Sequence, residues 1–187
     1  LSQKDMAMKA KVSIKARDGL ELPAYLTIPQ GVEAKKLPMV MLVHGGPQHH
    51  DDADFDTWAQ FLANRGYAVL QVNYRGSTGF GRGLMAAGLK RWGMEMQDDL
   101  TDAAQWAIAN GTADPKRLCI VGASFGGYSA LMGVAKTPEL YQCAVSFAGV
   151  SDLVELGRDH REFGGAEGVY DIQVGSVDKD ADRLRQT

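Results

Sequence analysis

Hydrophobic and polar positions divide the chain into two regimes. Across residues 11–17, KVSIKAR, apolar and polar side chains alternate. The alternation resumes in LELPAYLTIP after the turn-forming pair Asp18-Gly19. A period of two on either side of such a turn predicts a half-buried hairpin. From Leu37 onward the alternation stops. LPMVMLVHGG, YAVLQVNY, RLCIVG and CAVSFAG are largely continuous apolar runs ended by glycine or polar residues. Such runs predict strands buried on both faces, as in a parallel sheet.

Helical spacing fills the intervals. In residues 53–65, ADFDTWAQFLANR, Phe55, Trp58, Phe61 and Leu62 share one helical face and Gly66 caps the end. In MEMQDDLTDAAQWAIANG, Met96, Leu100, Ala103, Ala104 and Ala107 line another face. FGGYSALMGVAK reads as a third helix, ending before Pro138. The connection RGSTGFGRGLMAAGLKRWG, rich in glycine, carries no assigned element, and from Ser151 the pattern weakens. The order, a hairpin followed by alternating strands and helices, predicts the α/β class: a mostly parallel central sheet flanked by helices. Residues 1–187 read as one domain, with 151–187 a poorly defined cap or connecting segment.

Composition narrows the function. A net charge of −3 gives no basic field for nucleic acid or for an anionic membrane surface. The longest apolar runs are too short to span a bilayer. The two cysteines, Cys119 and Cys143, lie in or beside apolar runs and are predicted to be buried free thiols. Two are too few for a disulfide framework or a zinc site.

The candidate chemistry centres on Gly122-Ala123-Ser124-Phe125-Gly126, placed where a buried strand meets a helix. A Gly-x-Ser-x-Gly turn in that setting presents the serine on a strained, exposed corner, with helix N–H groups beside it for an oxyanion. The competing reading is a serine that caps the helix. Upstream, HGGP (His44 to Pro47) follows a strand, where glycine lets a backbone N–H approach a substrate carbonyl. His44 is either a general base or, as is commoner, a residue that orients this loop. NYRGSTGFG (Asn73 to Gly81) lacks the spacing of a dinucleotide fingerprint. Its Arg75 either holds loops near the site or forms a surface ion pair. Phe125 is a candidate wall residue by adjacency.

Together HGGP, NYRGSTGFG, the WG…DDL stretch and GASFGGY resemble, in order and spacing over residues 10–150, the catalytic α/β-hydrolase domain of the prolyl oligopeptidase family of serine peptidases. The similarity leans toward its acylaminoacyl-peptidase and dipeptidyl-peptidase branches. This resemblance implies that Ser124 is the nucleophile and that the backbone N–H groups of Phe125 and of Gly45 or Gly46 form the oxyanion hole. It implies a peptide substrate and no metal or organic cofactor. It also places the triad's acid and histidine well after the serine. His160 is the only histidine beyond Ser124 and does not match that position, and Asp152 reads as a helix cap. The chain is therefore expected to be a C-terminally incomplete hydrolase, inactive alone, whose CAVSFAG edge needs a missing segment or a second copy to cover it. A carboxylesterase on the same fold, or a binding module without a triad, are the alternative readings.

Overall fold

The computed structural model describes residues 6–162 and 167–187. Six strands form one sheet in the order β1-β2-β4-β3-β5-β6: β1 Met8–Lys15, β2 Glu21–Ile28, β3 Leu37–Val43, β4 Ala68–Val72, β5 Ala113–Ala123 and β6 Cys143–Phe147. The hairpin β1/β2 and the β2/β4 pair are antiparallel. The pairs β3/β4, β3/β5 and β5/β6 are parallel. Alternating sequence made the hairpin, and the continuous apolar runs made the parallel part.

Successive side chains in the inner strands divide between two faces. On one face Met39, Met41 and Val43 of β3, Leu70 and Val72 of β4 and Leu118 and Ile120 of β5 join the main core. Helix α3, Glu95–Ala109, packs there through Met96, Leu100, Ala103, Ala104 and Ala107, as its spacing predicts. Helix α4, Phe125–Lys136, lies on the same core. The opposite face holds a small cluster of Leu42, Ala59 and Val69, with Leu62 and Val121 packed against it.

That thin second face corrects two expectations. The helix expected over 53–65 is shorter, α1 Thr57–Ala63, begun by the side chain of Asp56, which accepts the Ala59 N–H at 2.7 Å. It rests on the sheet through Ala59 and Ala63, so its aromatic face points outward: Phe55, Trp58 and Phe61 are 55%, 44% and 53% exposed. Strand β6, read as buried on both faces, has Val145 and Phe147 exposed, while its place at the outer edge of the sheet among the described residues is the one the sequence predicts. Trp58 meets Phe147 edge-on, with ring centroids 6.4 Å apart.

The cysteines are a third correction: Cys119 and Cys143 are joined in a disulfide, and neither is fully buried. They are register partners on adjacent parallel strands, with Cα atoms 4.7 Å apart, so their side chains leave the sheet on the same face at bonding distance. Sequence alone does not set that register.

The glycine-rich connection contains a short helix, α2 Arg82–Ala87. Residues 151–187 are also more regular than their pattern suggests. They hold α5 Leu153–Glu162, α6 Glu167–Gln173 and α7 Ala181–Gln186, anchored to the core by Leu153, Val154, Tyr170, Val174 and Leu184. Gln173 ties this segment to the loop after β3 by donating its side-chain amide to Gln48 Oε1 at 2.8 Å. Among the described residues no helix is long and apolar enough to cross a membrane.

The unequal faces give a stability contrast. Leu100→Ala, which empties a site 1% exposed, should cost about 2–5 kcal/mol in urea unfolding. Phe61→Ser, on the outward face of α1, should change stability by about 0.5 kcal/mol or less. Equal losses would mean that the α1 aromatics are core residues.

Candidate active site

Ser124 lies at the junction of β5 and α4 with φ 55° and ψ −121°, backbone angles that side-chain-bearing residues rarely adopt. Such a conformation costs about 1–3 kcal/mol and survives only where its surroundings over-determine it. Here they do. The Ser124 N–H donates to the Phe147 carbonyl at 3.0 Å, and its own carbonyl accepts the Tyr128 N–H at 3.0 Å, starting α4. Gly126 lies directly against β3: a Cβ there would sit 2.1 Å from the Val43 carbonyl oxygen. Strand and helix therefore meet with no room for a side chain, and the turn between them is sharp. The Ser124 side chain caps nothing. It is exposed while Phe125 to Ala130 are all buried. The helix-cap reading of Ser124 is thus excluded, and its hydroxyl faces outward at the C-terminal ends of the parallel strands.

Two groups of backbone N–H flank it. Phe125 is the first residue of α4, where an N–H has no carbonyl four residues back to bond. Gly45 comes close from the other side: a Cβ built on it would stand 3.4 Å from Ser124 Cβ and 4.0 Å from Oγ. Gly46 has φ +117°, and a Cβ there would meet the Gln48 nitrogen at 2.6 Å, so glycine is required in this turn. The Gly46–Pro47 peptide is cis.

His44 holds this loop from beneath. Its ring stacks on Tyr74 with centroids 4.4 Å apart and is only 8% exposed. Nδ1 lies 2.8 Å from the Gly45 carbonyl oxygen, and Nε2 lies 3.0 Å from Ser77 Oγ. A carbonyl only accepts, so Nδ1 carries the proton and Nε2 accepts from the Ser77 hydroxyl. Because the peptide group is planar, fixing the Gly45 carbonyl fixes the direction of the Gly46 N–H. Burial pushes the imidazole down to about 4, so it is neutral near pH 7. Both ring nitrogens are committed to the loops, which fits the orienting role rather than the general base.

The two loops are stitched together along their length. The Tyr74 hydroxyl donates to the His44 carbonyl at 2.9 Å. The Thr78 N–H donates to the His49 carbonyl at 2.9 Å. The buried Asn73 side chain accepts the Asp51 N–H at 2.8 Å and donates to the Asp51 carbonyl at 3.1 Å. Arg75 anchors this assembly. It is buried rather than a surface ion-pair residue, and three of its groups donate to Asp99: its backbone N–H, Nε and Nη2, at 2.8, 2.9 and 2.7 Å. Nη2 also reaches Asp18 Oδ2 in the β1/β2 turn at 2.8 Å. The Asp99 hydrogen bonds hold the guanidinium well above its ordinary range, so it stays charged. Burial pushes the Asp99 carboxyl up while the Arg75 hydrogen bonds oppose this; with three donors on its two oxygens, Asp99 is the carboxylate partner.

Other sequence expectations fare differently. The Phe125 side chain does not form a pocket wall. It is 2% exposed and packs on Trp92, Tyr74 and Tyr128, with centroids 4.5, 5.2 and 5.8 Å away. Asp152 caps α5, accepting the N–H groups of Val154 and Glu155 at 2.8 and 2.9 Å. His160 bonds the Leu156 carbonyl through Nδ1 at 2.8 Å. Among the described residues no histidine or carboxylate hydrogen-bonds Ser124, and no group of three or more His, Cys, Asp or Glu is arranged to hold a metal. Asn73, Tyr74, Ser77 and Asp99 escaped the sequence reading, although all lie within the quoted stretches NYRGSTGFG and DDL.

Comparison with known proteins gives a consistent result. The Prolyl oligopeptidase family model matches residues 53–171. Dipeptidyl aminopeptidase BIII of Pseudoxanthomonas mexicana is 42% identical over 163 residues, covering 83% of this chain and 24% of that protein. Dipeptidyl peptidase family member 6 of Caenorhabditis elegans is 37% identical, covering 76% and 22%. The solved puromycin-hydrolyzing peptidase of Mycobacterium tuberculosis superimposes with a TM-score of 0.86 at 29% identity, over 96% of this chain and 28% of that one. The chain spans about a quarter of the length of the curated relatives it matches.

Two measurements test this scaffold. Asp99→Ala strands the Arg75 charge and should cost about 3–5 kcal/mol in denaturant unfolding. For His44 the unfolded value is the higher one, 6.5 against about 4. As pH falls, the unfolded chain binds the proton first, so the stabilisation is complete above about 6.5 and is lost toward about 4. The stability gap between the native protein and His44→Gln should therefore narrow over that window, by on the order of 3 kcal/mol. A gap independent of pH would show that the ring is not held neutral.

Proposed function

Because the chain belongs to the prolyl oligopeptidase family, we propose that it carries the nucleophile and oxyanion hole of a serine peptidase acting on short peptides. The observation that carries this reading is the exposed Ser124 hydroxyl, on a backbone at φ 55°, between the first N–H of α4 and the close-lying Gly45. Ser124 Oγ attacks the scissile carbonyl carbon. The carbonyl oxygen takes the negative charge, and the N–H groups of Phe125 and of Gly45 or Gly46 stabilise it. The triad's histidine takes the Ser124 proton and gives it to the scissile nitrogen, so the C–N bond breaks, the amine leaves neutral and an acyl-enzyme stays on Ser124, which water then hydrolyses. His44 and Arg75 serve as supporting residues that hold the loops in place.

A serine hydroxyl needs a base, and among the described residues no histidine or carboxylate hydrogen-bonds Ser124. We assign the triad's acid and histidine to polypeptide outside the described residues. Among the described residues the outer edge of β6 is unpaired and Phe55 and Phe61 point outward, which supports this, since both are surfaces that further chain or a second copy would bury. The names of the relatives favour peptides over simple esters, because those matched above are peptidases or dipeptidyl aminopeptidases.

Fluorophosphonate labelling of the full-length protein at neutral pH, with the adduct located by peptide mass spectrometry, should modify Ser124, and Ser124→Ala should abolish it. The same preparation should cleave aminoacyl-arylamides as well as p-nitrophenyl esters. An unlabelled Ser124 would sink the peptidase reading, and turnover of esters alone would replace it with an esterase.

A further inference from the structure

Beside Ser124, on the α1 side of the sheet, lies an open cavity of about 270 Å³. Gly45 belongs both to this wall and to the surroundings of the Ser124 hydroxyl, so the cavity begins one residue from the nucleophile. Ala123, immediately before the serine, lines it as well. The remaining wall pairs an apolar side with an acidic one. Leu42 and Trp58 give apolar side chains, Asp51 and Asp56 bring two carboxyl groups, and His44, His49 and Gln71 line it too; among the described residues no lysine or arginine does.

Two acceptors in this wall are left over. Gln71, 1% exposed, donates its amide to Asp51 Oδ1 at 2.9 Å, which orients the side chain and leaves its Oε1 buried without a partner. Asp51 Oδ2 is buried without a partner too. Buried acceptors are almost always satisfied, and an unsatisfied one costs about 1–3 kcal/mol. Lys9, whose charge acts on Asp51, spends its Nζ on the carbonyl oxygens of Asp52 and Asp54 at 3.0 and 2.9 Å and does not cover them. Two orphaned acceptors, the second carboxylate of Asp56, which also caps α1, and the Trp58 side chain together suit a positively charged hydrogen-bond donor on an apolar stem.

We propose that this cavity is a substrate subsite selective for a cationic group, a lysine-like side chain or an amine, with Asp51 as its counter-charge and Gln71 as the second acceptor. The assignment deepens the peptidase reading and rests on it for the word substrate; the binding itself does not need turnover. An apolar stem lies along Leu42 and Trp58 while the ammonium donates to Asp51 Oδ2 and Gln71 Oε1, after a small opening of the two side chains. Burial and the neighbouring Asp56 push the Asp51 carboxyl of the empty site up to about 7. A bound cation favours the carboxylate, so binding below that pH expels a proton and is weakened. The groups that face Asp51 are Lys9 from β1, His44 and His49 from the loop after β3, Asp52 and Asp56 before α1, the Tyr74 phenol after β4, and the uncharged Gln71 from β4.

The test uses the full-length Ser124→Ala protein, which binds without cleaving, and matched tetrapeptides in which one position at a time is lysine or norleucine. Titration calorimetry at pH 8 should find one position where lysine binds about tenfold more tightly than norleucine. Asp51→Asn, an isosteric change, should reduce that preference to less than about twofold. Without any change at Asp51, the preference should shrink as pH is lowered from 8 to 5.5, while norleucine affinity stays flat. No lysine preference at any position, or a preference that survives both Asp51→Asn and low pH, overturns the proposal. Lysine selectivity together with an unlabelled Ser124 keeps the subsite and removes only the peptidase reading.

Discussion

The contact between Gly126 and the Val43 carbonyl sets the geometry of everything at this end of the sheet. With 2.1 Å between that oxygen and where a Cβ would stand, α4 can start hard against β3 only because residue 126 has no side chain. That closeness forces the β5–α4 turn to be sharp and holds Ser124 at a positive φ. It also places the first N–H of α4 near the end of β3, where the chain leaves as the His44–Pro47 loop. A larger residue at 126 would separate the helix from the strand, and the serine, the helix amides and the loop would lose their common location.

Around that fixed point the positioning is done by neutral or paired groups rather than by free charge. The His44 imidazole is uncharged, and its N–H is spent on the Gly45 carbonyl. The Arg75 charge is balanced by Asp99 inside and Asp18 outside. An oxyanion at Ser124 would therefore meet oriented amide dipoles from the helix start and the glycine loop, which need no reorganisation when charge develops. The Arg75–Asp99 pair lies in the second loop, which reaches the first through Asn73, Tyr74, Ser77 and Thr78. Anchoring one loop to α3 thus fixes the other.

How much of this the sequence made legible depends on the range of each interaction. The hairpin, the buried strands, the core face of α3 and the turn at Ser124 all follow from local patterns. Strand pairing does not. The Cys119–Cys143 bond required knowing that β5 and β6 are neighbours with those residues in register. Arg75 was ambiguous because its partner, Asp99, lies 24 residues away on a helix whose other acids face solvent more. The α1 aromatics misled because helical spacing identifies a face without saying what it faces. In this helix the small residues Ala59 and Ala63 meet the sheet. Residues 151–187 were obscure because their helices are short, each held by only one or two apolar anchors.

The two faces of the sheet are unequal, and the asymmetry has a direction. Side chains of Cys119, Val121 and Ala123, with their β6 partners Cys143, Val145 and Phe147, leave the sheet toward the sparsely covered side. Trp58 meets Phe147 there and also lines the cavity beside Gly45. The exposed apolar surface and the orphaned acceptors of Asp51 and Gln71 are therefore parts of one continuous region. An apolar surface alone would call for any apolar cover. Buried acceptors that lack donors demand a specific chemistry as well, because their desolvation cost is relieved only by a group that donates hydrogen bonds. Whatever lies against this side of Ser124 must satisfy both, an apolar face for Trp58 and Phe147 and a donor for Asp51.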